Sequence, residues 1–375
     1  MKNKIEIKNI IILFIFTFLN IFALIEFLFR RNIVNYYNMA TFLISYKNGF
    51  VSRGFIGTIL NLIPEEKYLI IIATMTAIGV SIFTIFILIQ VFHIFFENIK
   101  EDVCYWFLFM MCSSTSIHFL FRNSHTKMDL FWYILFIPIF IGFLNFNKHK
   151  IRNIIFLFLF SIMAILIHQA FIFVIAPFIL VLLWDVNERK ILIPYTIIIG
   201  ITFLICQFCG KGNYELILQD VYDKTYKVFS YNQDYAWTYI HKMLYLEYKM
   251  PVFEHFHYLK KEFMDVNLRL YFFTYIFNFI NICILIKLFI NMYKKKTKLY
   301  IPFLILSQLP LYVLTIDYER WFTLFLLNMQ LLIIYGLRNK KEIQIEKPKN
   351  ITYGFFIINL ICILYMQYKF GIQFT

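Results

Sequence analysis

The sequence predicts an all-α fold: a polytopic integral membrane helix bundle of about eleven transmembrane helices, with one long extracytoplasmic loop. Three observations carry that expectation. Of the 375 residues 61% are hydrophobic, and the mean hydropathy of +0.69 lies far above that of a soluble globular domain. Apolar runs long enough to cross a hydrocarbon core of roughly 30 Å recur from end to end. The 36 Lys and Arg outnumber the 22 Asp and Glu, giving a net charge of +14, yet they gather in short segments between apolar runs. That placement reads as membrane topology and excludes a nucleic-acid face.

The first apolar run, 9–29, follows Lys2, Lys4 and Lys8 as a secretory leader would. It is too long for one, and Arg30 and Arg31 follow it in place of a small-residue cleavage site, so it is expected to remain as the first helix. Further crossings are expected at 68–93, 104–121 and 130–146. The thirty or so apolar residues of 153–184 exceed one untilted helix, so they are divided at His168 and Gln169 into 153–167 and 170–184. The remaining spans are 191–209, 270–293, 299–316, 321–337 and 350–370.

Basic clusters at 148–152, 189–190, 294–298 and 338–349 all fit one orientation, with the amino terminus cytoplasmic. Segments 30–67, 122–129, 168–169, 210–269 and 317–320 then face outward. Segment 210–269 mixes Asp220, Asp223, Lys224, Lys227 and Asp234 with Tyr and Trp, which predicts a folded amphipathic insert within a single transmembrane domain spanning 1–375.

Cys206 and Cys209 form a lone CxxC pair, and His255 and His257 lack further ligands at defined spacing, so no metal site or cofactor is expected. P-loop, dinucleotide, nucleophile-elbow and HExxH signatures are absent from the sequence.

Chemistry is sought among the outward charges. Residues 27–64 contain no Asp or Glu, so Lys47 and Arg53 in YKNGFVSRGFIG have no local acid, and Gly54 would let backbone approach a ligand. The bland alternative is that Arg53 snorkels to headgroups. In IHFLFRNSHTKMD, His118, Arg122, His125 and Asp129 share one helical face, unless Asp129 only caps the next helix. His168 lies in LIHQAF among apolar neighbours, where a structural imidazole is the alternative to a functional one. TIDYERWF supplies Asp317 as a helix cap, Trp321 as an interfacial anchor, Glu319 as a candidate base and Arg320 as a candidate anion clamp.

Taken together, Arg53, Arg122, Arg320, Lys47 and Gly54 are the candidate substrate-binding residues, and Glu319, His168, Asp317 and His125 the candidate catalytic ones. Guanidinium groups stay charged and bind phosphate oxygens in pairs, which suits a lipid-linked diphosphate. A carboxylate or imidazole beside them would take a proton from an attacking sugar hydroxyl.

With SRGFIG, LIHQAF and DYERW, and with many helices and one long late loop, the chain resembles bacterial surface-polysaccharide polymerases of the O-antigen type. More distantly it resembles the C superfamily of membrane glycosyltransferases. It departs from that superfamily in having no acid in the first outward loop before its last positions, and it lacks an arginine-to-glycine loop repeat. The resemblance implies an enzyme of the bacterial cytoplasmic (inner) membrane that transfers a glycan between polyprenyl-diphosphate-linked units at the outer face. Its implied partners are that lipid-linked glycan, membrane lipids and a chain-length regulator, with no nucleic acid. Two alternatives remain: a lipid-linked sugar flippase or transporter, in which intramembrane charges mark the path, and a membrane acyltransferase using His168 or His125 as base.

Overall fold

Helices make up nearly all of the described chain. The computed structural model describes residues 7–28, 36–97, 128–229, 233–250, 296–314 and 318–339, with scattered positions between 254 and 293. In chain order the helices are α1 (Ile7–Leu28), α2 (Tyr36–Leu43), α3 (Gly54–Leu60), α4 (Tyr68–Glu97), α5 (Asp129–Leu144), α6 (Lys150–Ile167), α7 (Phe171–Val174), α8 (Ala176–Asp185), α9 (Arg189–Cys209), α10 (Tyr214–Val228), α11 (Gln233–Leu244), α12 (Thr297–Leu314) and α13 (Tyr318–Asn339). Among the described residues the β-structure is a single bridge, Val51 to Lys211.

Four helices among the described residues are long and apolar enough to cross a membrane: Glu65–Ile94, Phe146–Ile167, Arg189–Cys209 and Arg320–Asn339. Asp129–Leu144, Phe171–Asp185 and Leu299–Tyr312 are shorter apolar helices. The expected spans 104–121 and 350–370, and most of 270–293, lie outside the described residues. Burial ranks the long helices. Inside the bundle lies 89% of the apolar window of α13, against 17% of that of α9, so α13 is central and α9 peripheral. The centre tolerates Asn328 and Gln330 because their helix is enclosed by protein on all sides.

α5 and α6 form an antiparallel hairpin. Asn153 of α6 donates to the carbonyls of Gly142, Asn145 and Phe146 at 3.1, 3.2 and 3.3 Å, which closes the carboxyl end of α5 where intrahelical donors run out. Trp132 of α5 donates from Nε1 to the Ala164 carbonyl at 3.0 Å at the far end of the same hairpin. The apolar run 153–184 breaks at His168, which is extended at φ −161° and ψ 118°, between α6 and α7.

Ion pairs Lys150–Glu188 at 2.6 Å and Lys296–Asp185 at 3.1 Å join the loops at one end of the bundle. Because α6 and α9 each run the length of the bundle from that end, His168 and Gly210 lie at the opposite one.

Segment 30–67, read from the sequence as a loop, has helical structure of its own. It contains α2 and α3, and Met39, Ala40, Phe42, Leu43 and Ile44 are fully buried. The run is too short to span a bilayer but apolar enough to be packed under the insert, and α2 rests on α11. α3 presses against the same stretch: a Cβ on Gly57 would lie 1.9 Å from the Ile44 carbonyl oxygen, so only glycine allows this approach.

Candidate functional site

The candidate site is built at the His168 end from two neighbouring parts. One is a strap, residues 44–53, between α2 and α3. The other is a polar cluster where α5, α13 and the His168 break meet.

Hydrogen bonds hold the strap from both sides. The Tyr46 amide donates to Thr58 Oγ1 at 2.9 Å, and that hydroxyl donates to the Gly54 carbonyl at 2.7 Å. From the insert, Gly210 O accepts from the Ser52 amide at 2.7 Å, and the Tyr248 hydroxyl donates to the Ser52 carbonyl at 2.7 Å. Asn48 reaches the Leu216 carbonyl at 3.0 Å.

Arg53 turns the chain into α3 with φ 68° and ψ 5°, the left-handed region. Most L-residues avoid it because Cβ crowds the following carbonyl, at a cost of about 1–2 kcal/mol. Gly54 follows directly, and a Cβ there would meet the Tyr46 ring at 2.7 Å and Val51 at 2.8 Å. Gly54 is therefore a packing position beneath the strap. The Tyr46 hydroxyl is buried with no hydrogen-bond partner among the described residues, and burial pushes its pKa up to about 12.

Lys47 is not a bare cation. Its Nζ meets Asp220 of α10 at 3.1 Å, and the other Asp220 oxygen accepts from Lys224 at 2.7 Å. Lys224 is buried and donates to the Leu43 carbonyl at 3.1 Å and Ser45 Oγ at 3.4 Å. The acid that the strap's own sequence lacks is supplied by the insert.

In the second part, Arg320 of α13 grips Asp129 of α5. Nε and Nη2 each donate to one carboxylate oxygen at 2.5 Å, a bidentate pair between residues 191 positions apart. The Asp129 side chain is 1% exposed and that of Arg320 14%, so the carboxylate is buried and its partner partly exposed. Asp129 also opens α5, where a negative charge favours the helix dipole. The Arg320 guanidinium lies 4.5 Å from the Trp321 ring centroid.

One turn along α5, the Trp132 ring meets His168 edge-on at 5.2 Å. The next residue, Tyr133, donates to Asn328 Oδ1 at 3.1 Å, and Asn328 donates to the Val174 carbonyl at 2.8 Å. His168 is buried, and its Nδ1 accepts the Ala170 amide at 3.2 Å. In the neutral ring the proton then sits on Nε2, so His168 presents a donor and its lone pair is engaged. That geometry suits a hydrogen-bond donor.

Arg320 and His168 thus share one polar cluster, while Lys47, Arg53 and Gly54 belong to the strap. Arg122, His125 and Asp317 lie outside the described residues, and of Glu319 only its place in the first turn of α13 is described. Asp129 is the residue that sequence reasoning undervalued. It is the lone acid between Asp102 and Asp185, and such isolation was its signal. Asp220 carried no comparable mark. Among the described residues no cluster of His, Cys, Asp or Glu could hold a metal ion.

A comparison with protein families, with curated proteins and with solved structures finds no match to this chain.

Proposed function

We propose that the chain is a polymerase-type glycosyltransferase that joins polyprenyl-diphosphate-linked oligosaccharide units at the outer face of a bacterial cytoplasmic membrane. In this reading the shorter apolar helices and the spans outside the described residues also cross the bilayer, giving about eleven crossings with the amino terminus cytoplasmic. The insert is extracytoplasmic.

One observation carries the reading: the strap keeps an arginine in the left-handed region at position 53, where glycine would cost less, next to Gly54 and in an acid-free stretch. Backbone strain of this kind persists where the side chain is used. Arg53 and Arg320 together hold the diphosphate of a lipid-linked donor. The acceptor hydroxyl attacks the anomeric carbon, a new C–O bond forms, and the bond to the diphosphate breaks. The diphosphate leaves with the electron pair, and its charge is held by guanidinium groups. The hydroxyl proton passes to one of Glu319, Asp317 and His125, while His168 donates a hydrogen bond.

Arg53→Gly tests this directly, because it removes the charge and relieves the backbone. The variant should reach the membrane and fail to make long glycan chains. The paired replacement Asp129→Asn with Arg320→Gln keeps a neutral hydrogen-bonded pair and should fail likewise. Normal chain length in both would overturn the proposal.

A transporter of lipid-linked sugars is the second reading, favoured by an ion pair bridging two helices beside a helix break. Movement of lipid-linked sugar across sealed vesicles without new glycosidic bonds would select it. The acyltransferase alternative loses support from His168, whose lone pair is occupied.

A further inference from the structure

Arg320 is the anion clamp of the proposed site, yet it already holds a carboxylate. Nε and Nη2 are both engaged by Asp129, in the side-on mode that a diphosphate would also use. The two partners differ in access: Asp129 is buried while the Arg320 side chain is partly exposed, so the arginine is the partner that solvent reaches.

We propose that Asp129 and Arg320 form an exchangeable pair, in which a diphosphate diester displaces Asp129 from the guanidinium and the released carboxylate takes up one proton. This rests on the reading of the site given above and adds a role for Asp129. Without its partner a buried carboxylate is strongly disfavoured in the charged form, and protonation is the route by which it stays buried. The balance is one proton from solvent to Asp129 for each anion bound. Diphosphate binding is thereby linked to pH, and in the absence of substrate Asp129 keeps Arg320 neutralised.

Among the described residues, the titratable groups around Asp129 are few, and they leave it as the proton acceptor. On α5 itself the nearest titratable group is Tyr133, whose hydroxyl is given to Asn328. From α13 comes Arg320. From the α6–α7 break comes His168, behind Trp132, with Nδ1 occupied. α4 meets this level at Gly79, against Leu130 and Ile134, and brings no charge.

The test uses the purified full-length protein in detergent and a dialkyl diphosphate probe, whose two acidic oxygens stay ionised through the pH range used. Binding heats measured in buffers of different ionisation enthalpy should show about one proton taken up per probe bound, and affinity should rise by up to about tenfold for each unit the pH falls. Asp129→Asn should bind the probe more tightly than the parent at neutral pH and lose that pH dependence. Weaker binding in Asp129→Asn would make Asp129 a residue that merely positions Arg320, and would overturn the exchange. Zero proton uptake by the parent protein would overturn it too, and needs no variant to fold. Binding is read without acceptor or glycan transfer. Failure here therefore leaves the glycosyltransferase proposal to its own chain-length test, and proton-linked binding without chain growth would sink that proposal alone.

Discussion

Lys47 and Asp220, 173 residues apart, meet at 3.1 Å, and through that contact the insert closes over the strap. Asp220 is shared with buried Lys224, so the two lysines have unequal stakes in it. The Lys47 side chain is 66% exposed, and its pairing with the carboxylate is worth less than about 1 kcal/mol after solvent screening. Lys224 would be left as a buried charge without its counterion. Asp220→Ala should therefore destabilise the protein by about 3–5 kcal/mol, and Lys47→Ala by under about 1 kcal/mol. Thermal unfolding in detergent measures both, and equal effects would mean that the insert is not anchored through Lys224.

Arg53→Gly should be more stable than Arg53→Ala, because alanine keeps the left-handed strain that glycine relieves. A difference of about 1 kcal/mol in unfolding free energy is expected. Both should lack long glycan chains. Chain growth in the glycine variant alone would assign the position a conformational role only.

His168→Asn places an amide oxygen near the position of Nδ1, so the Ala170 amide keeps its acceptor while the titrating ring is gone. Folding should be retained, and chain elongation should fall by less than about tenfold, the loss of one neutral hydrogen bond. Abolition of activity in a folded variant would restore His168 as base. Glycan length on gels, together with the variant's elution profile in detergent, decides between these.

Gly57→Ala should separate α3 from the chain at Ile44, since its methyl group would overlap the carbonyl there. Overpacking of this kind costs about 1–3 kcal/mol, and more where backbone is the obstacle. The expected readout is a lowered melting temperature with faster proteolysis within the strap. An unchanged melting temperature would show that α2 and α3 part easily.

Tyr46 supplies a pH signature. Its folded pKa of about 12 lies above the unfolded value of about 10, because burial disfavours the phenolate. The sign follows from linkage: this contribution is fully present below about pH 10 and is lost as pH rises toward 12. Tyr46→Phe should flatten that part of the stability curve. Parallel curves for parent and variant above pH 10 would mean that Tyr46 is not buried.

Much of the architecture is local and was readable. Apolar runs placed α4, α6 and α9 within a few residues, and the excess length of 153–184 placed a break at His168, because hydropathy and helix rise are properties of consecutive residues. The same logic missed α2 and α3. Their runs are short, and whether a short apolar run is buried depends on what lies across from it.

Which charges meet was decided by the tertiary structure alone. An acid-free stretch from 27 to 64 announces that its cations need partners, but nothing in it names Asp220. Likewise Arg320 stands beside Glu319 in sequence, yet its guanidinium goes to Asp129 on another helix. Ion pairing follows distance in space and the exclusion of water, and packing of the bundle sets both across separations of 173 and 191 residues.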